Sequence, residues 1–147
     1  MLHTGAEVAA NEGFTSLRGK RVGVVCNPAS LVRDPRRPGV RHHLVDVLKQ
    51  AGVDVCRLFG PEHGLWSTAQ DLIAVDGGFD AVFGHEVRTL YGRSVDSLKP
   101  EPESLDGLDV LVFDVPDVGA KMLVVSDNDP AKAAAYEAAL RAALLTL

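Results

Sequence analysis

The sequence predicts an α/β fold: a mainly parallel sheet of about four strands, flanking helices and an Ala-rich C-terminal helix. Three observations carry that expectation. RVGVVCN (21–27), VDVCRLFG (53–60) and LDVLVFDV (108–115) are short, apolar, β-branched runs, as strands buried on both faces read. A helical stripe lies between the first two, and strand, helix, strand in that order implies a right-handed parallel crossover. With 147 residues, 46% apolar and 24% charged, the chain is long enough to bury a core and too apolar for disorder.

Thr4 and Glu7 have capping-box spacing, which predicts a short opening helix around residues 5–12. The first strand, 21–27, ends in Asn27 and is followed by a Pro- and Arg-rich loop, ASLVRDPRRPG. Leu44, Val45, Leu48 and Ala51 then share a helical face that Gly52 stops. The second strand, 53–60, leads into residues 61–107, which lack clear periodicity and read as a functional excursion. Within them DAVFG (80–84) and EVRTLYG (86–92) are short strands or ordered loop, and ESL is one helical turn. The strand at 108–115 is the clearest in the chain, and KMLVVSD (121–127) is a further candidate. In the tail, Asp129 is placed as an N-cap, Pro130 opens the helix, and Tyr136, Leu140, Leu144 and Leu147 form an apolar stripe.

Charge and composition exclude several classes. A formal charge of −5 lacks the basic face that nucleic-acid phosphates require, so no nucleic-acid partner is expected. No apolar run approaches the roughly 18 residues of a membrane span, so no membrane partner is expected. The N-terminus shows no basic start followed by an apolar stretch, which reads as cytoplasmic as written, or as secreted or periplasmic if the N-terminus is incomplete. Cys26 and Cys56 lie inside apolar runs as small hydrophobes rather than disulfide partners. The histidines lack zinc-ligand spacing, so no metal is expected, and no GxGxxG, P-loop or GxSxG motif points to a cofactor or a serine nucleophile.

Ligands of open parallel sheets bind outside the carboxyl ends of the strands. Three strands here end in polar side chains: Asn27 after the first, Glu62 and His63 after the second, Asp114 and Asp117 after the clearest. Asn27 before Pro28 equally reads as the start of a turn, and Asp114 and Asp117 equally as turn caps. Glu62 follows a rigid Gly60-Pro61 corner, which holds a carboxylate with little reorganisation. Tyr91 is core or site wall. The arginines between Arg33 and Arg41 form a solvated loop or hold an anionic ligand group.

LRGKRVGVVCNP, HHLVDVLKQAGVDVCRLFGPEHGLW, VRTLYG and LDVLVFDVPDVGA occur in the order expected of the DUF1343 family, which is associated with NamZ-type exo-β-N-acetylmuramidases. The chain resembles that family over roughly residues 14–121, and the combination of FGPEHG with FDVPDVG carries the specificity. The resemblance implies a Rossmann-like N-terminal domain, here 1–127, with 128–147 a C-terminal helix unlike the family. It implies release of terminal N-acetylmuramic acid from peptidoglycan-derived glycans, with a muramic-acid-containing glycan as partner.

Under that implication Glu62 is the principal catalytic carboxylate and His63 orients or tunes it, since glycoside hydrolysis needs one carboxyl group as acid and usually a second as nucleophile or base. Asp114 and Asp117 hold sugar hydroxyls or supply the second carboxylate, Asn27 offers an amide to the sugar, and Tyr91 stands in the substrate-binding set. An arginine at 33–41 is a candidate for the lactyl carboxylate on charge alone. LWSTAQDLIAVD departs from the family's acidic pattern, leaving Asp71 or Asp76 as stand-ins, and Pro116 replaces a usual glutamine. The alternative of another class is a non-catalytic sugar-binding or interaction module on a truncated domain, pairing with a second copy through exposed apolar surface.

Overall fold

The computed structural model describes residues 3–61, 63–68, 77–90 and 100–115. The candidates Glu62, Tyr91 and Asp117, the stand-ins Asp71 and Asp76, the strand expected at 121–127 and the C-terminal helix lie outside the described residues.

Helix α1 (Gly5–Asn11) opens with the expected capping box: Thr4 Oγ1 accepts from the Glu7 amide, and the Glu7 carboxylate accepts from the Thr4 amide. A 3-10 turn at Thr15–Leu17 leads to strand β1 (Arg21–Cys26). Strand β2 (Leu31–Arg33) and strand β3 (Arg41–His43) pair antiparallel as a small ribbon, inside what the sequence reads as loop. The prolines there mask the strand signal. They fall at positions 35 and 38, in the connection between the two strands, where no ladder amide is needed.

Helix α2 (Leu44–Gln50) buries Leu44, Val45 and Leu48, as its stripe predicts, and ends where Gly52 takes φ 76°. It returns the chain to strand β4 (Asp54–Gly60). Strand β5 (Gly78–Asp80) turns through 81–84 into strand β6 (His85–Thr89), so most of DAVFG is turn rather than strand. A single helical turn α3 (Pro102–Leu105) precedes strand β7 (Val110–Asp114).

The fold is mixed α/β around a mostly parallel five-stranded sheet in the order β5-β6-β4-β1-β7, consistent with a Rossmann-like arrangement. Strands β1, β4, β6 and β7 run parallel, and only β5 is antiparallel, at one edge. Against an expected sheet of about four strands there are five, four of them parallel; β5, three residues long, is too short to announce itself.

A β-bulge sets the side-chain pattern of β4. Val22 of β1 faces Val55, yet Gly23 faces Arg57, so Cys56 is the extra residue. The extra residue puts Val55 and Leu58 on the same side, in the core with Val22, Val24, Leu44, Val45 and Leu48. Phe59 goes to the other face with Val25 and Leu90. Arg57 also goes to that face, where its guanidinium donates to the carbonyl of Ser104 and pairs with Glu86 at 3.4 Å. Among the described residues, no helix is long and apolar enough to cross a membrane.

Candidate functional site

The parallel register lines up four strand ends. Gly60 of β4 is level with Thr89 of β6, and Cys26 of β1 with Asp114 of β7. The structure brings Asn27 and Asp114 to one edge of the sheet, with the β4 corner beside them.

Asn27 starts a turn. Its Oδ1 accepts from the Ala29 amide at 2.9 Å, and its carbonyl accepts from the Ser30 amide at 3.0 Å. The turn reading therefore holds for the carbonyl end of the side chain. The NH2 end has no hydrogen-bond partner among the described residues. The Asn27 amide donates to Ser30 Oγ at 3.0 Å, and that fully buried hydroxyl donates onward to the Asp114 carbonyl.

His43 secures the same turn from below. Its Nδ1 accepts from the Val45 amide at 3.3 Å, capping α2, and Nε2 lies 3.0 Å from the Asn27 carbonyl. With Nδ1 accepting, Nε2 carries the hydrogen and donates to the Asn27 carbonyl. The ring also packs on Phe83, with centroids 4.7 Å apart.

Asp114 is half-buried, and its carboxyl group receives no hydrogen bond among the described residues. Burial pushes its pKa above the usual aspartate range. Beside it, burial pushes the Cys26 thiol up to about 12.

The β4 corner is tightly built. A Cβ on Gly60 would lie 2.7 Å from the Leu65 amide nitrogen, so only glycine lets the chain fold back there. The Gly64 amide donates to the Pro61 carbonyl at 2.9 Å, and Leu65 is buried as an anchor. Half-buried His63 has φ 70°, a left-handed backbone that a side chain adopts at a cost of about 1–2 kcal/mol.

Two of the arginines offered for a ligand carboxylate are engaged by acids of this chain. Arg33 forks onto Glu7, and Arg37 binds Asp34 at 2.8 Å, next to His42. Arg36 and Arg41 are exposed. Among the described residues, no three His, Cys, Asp or Glu side chains are grouped to hold a metal.

Sequence reasoning missed Ser30 and His43. Ser30 had a readable signal, because N-P-x-S is turn chemistry with a hydroxyl at its end. His43 had almost none, since histidine is an unusual helix cap and its partner Asn27 is sixteen residues away.

The family described as exo-beta-N-acetylmuramidase NamZ, N-terminal, matches residues 22–124. The peptidoglycan beta-N-acetylmuramidase NamZ of Bacillus subtilis (strain 168) is 34% identical over 121 residues, which is 82% of this chain and 27% of that protein. A crystal structure of a DUF1343 family protein from Bacteroides fragilis NCTC 9343 matches with TM-score 0.62 and 32% identity, over 86% of this chain and 32% of its own. A second from the same organism matches with TM-score 0.51 and 27% identity, over 78% and 26%. The chain therefore spans about a quarter of the curated relative it matches.

Proposed function

The chain belongs to the exo-beta-N-acetylmuramidase NamZ N-terminal family, and from that premise we propose that its strand-end edge is the N-terminal part of a glycosidase site. The substrate in this reading is a glycan with a terminal N-acetylmuramic acid. The observation that carries the reading is the alignment of the β1, β4 and β7 ends, with Asn27, the Gly60-Pro61 corner and Asp114 on one edge.

The chemistry divides among those ends. Glu62, next after the corner, is the principal catalytic carboxylate, and His63 orients it. Asp114 supplies the second carboxyl group. A half-buried carboxyl with a raised pKa keeps its proton longer, as protonation of a leaving oxygen requires. The Asn27 NH2 hydrogen-bonds a sugar hydroxyl while its Oδ1 holds the turn. Asp117 and Tyr91 complete the substrate contacts.

The test is release of chromophore from a chromogenic β-N-acetylmuramide by the parent, Glu62→Gln and Asp114→Asn. The expected result is turnover by the parent, and a loss of at least about a hundredfold in either variant. No turnover by a folded parent sinks catalysis by this chain. Exposed Phe79 and Val82, each more than 70% accessible, favour an interaction module as the second reading. That reading predicts self-association in sedimentation and no turnover.

A further inference from the structure

Trp66 is the one tryptophan of the chain, and the turn after β4 places it four residues beyond Glu62. Its indole is fixed on two sides. Phe83 stacks on it with centroids 5.1 Å apart and planes 13° from parallel, and Nε1 donates to Asp80 Oδ2 at 2.6 Å. Asp80 is itself held, since its Oδ1 accepts from the Phe83 amide at 2.8 Å. Phe83 is buried at 3% accessibility and anchored to α2, where Lys49 Nζ donates to its carbonyl at 2.7 Å.

Despite these restraints, Trp66 remains 39% accessible. One face is taken by Phe83 and the lone donor by Asp80, which leaves the indole without a free donor. The stack continues from Phe83 to His43, which in turn donates to Asn27. The indole thus belongs to the framework that holds the strand-end edge.

We propose that Trp66 is a sugar-stacking platform beside that edge, taking the apolar C–H face of a pyranose ring. The proposal rests on the glycan reading given above and deepens it. The negative π face attracts the weakly positive C–H groups of a sugar ring, and a face with no donor left cannot compete for the sugar's hydroxyls. Because Phe83 and Asp80 lock the indole beforehand, little side-chain entropy remains to be lost on binding. A protein partner through neighbouring Phe79 and Val82 is the competing occupant, and the experiment separates the two.

With one tryptophan, the emission of the whole chain reports this residue alone. The full chain carrying Glu62→Gln, which under the glycan reading does not cleave the sugar, is titrated with the disaccharide N-acetylmuramyl-β-1,4-N-acetylglucosamine, followed by tryptophan emission and in parallel by calorimetry. The expected result is saturable quenching or a blue shift with the calorimetric midpoint, a roughly tenfold weaker Kd for Trp66→Ala, and a smaller loss for Trp66→Phe. Calorimetric binding with unchanged emission overturns the platform and leaves the glycan reading standing. No binding by either method overturns both. Emission that changes with protein concentration and not with sugar assigns the surface to self-association and overturns the platform. If Trp66→Ala fails to fold, the parent's emission and Trp66→Phe decide.

Discussion

The Ser30 hydroxyl donates to the main-chain carbonyl of Asp114, eighty-four residues away, while accepting the Asn27 amide. One buried side chain thereby closes the ends of β1 and β7 together. Ser30→Ala strands a part-buried amide and carbonyl, and it is expected to cost about 1–3 kcal/mol. Urea denaturation measures this as a lower midpoint with an unchanged slope. A variant as stable as the parent would show that the hydroxyl is dispensable.

Gly60 and Gly23 are both closely approached, by different kinds of atom. At Gly60 the obstructing atom is backbone, the Leu65 nitrogen, which cannot step aside without moving the corner. At Gly23 the nearest atoms are the ends of the Leu108, Leu111 and Phe59 side chains, which have rotamer freedom. Both alanine variants are overpacked, at about 1–3 kcal/mol, with Gly60→Ala the worse of the two. The order of their thermal midpoints tests the assignment.

Two carboxyl groups give opposite pH dependences. Glu7 is held at about 2, chiefly by the Arg33 hydrogen bond and then by the Thr4 amide. Its stabilisation is complete above its unfolded value near 4.5 and is lost as pH falls toward about 2. Glu7→Gln should be less stable at neutral pH and lose stability less steeply through that window. Asp114 is raised by burial, so its ionisation destabilises the fold once pH rises through its folded pKa. Asp114→Asn should be modestly more stable than the parent at neutral pH, with the advantage vanishing in acid. Urea midpoints across pH check both signs.

The two thiols should differ in reactivity. Cys26 is fully buried with its pKa pushed up to about 12, and Cys56 is half-buried with its pKa raised by burial and then by Asp54. A thiolate-selective reagent at neutral pH is expected to modify Cys56 first and Cys26 only as the chain unfolds. Mass spectrometry of timed samples reads the order, and early modification of Cys26 would contradict its burial.

Much of this fold is legible in the order of its residues. The capping box of Thr4 and Glu7, the α2 stripe, and the strands ending at Cys26, Gly60 and Asp114 are local patterns, set by propensity and by periodicity of burial. The family motifs are legible too, because they cluster at those strand ends. Strand β5, the β2–β3 ribbon and the bulge at Cys56 are not. Their stability comes from pairing with distant chain, and no nearby residue announces it.

What sequence alone determined is which residues leave the core as polar groups, since alternation and turn chemistry act over a few positions. Tertiary structure decided what those groups do to one another. Strand order put β1 between β4 and β7, and only then did Asn27, Ser30 and Asp114 meet across eighty-four residues. The same order brought His43 and Phe83 together from the N-cap of α2 and the β5–β6 turn, with Trp66 from the β4 corner completing the stack. Such contacts depend on the closure of long loops, whose cost is recovered only when the whole sheet forms.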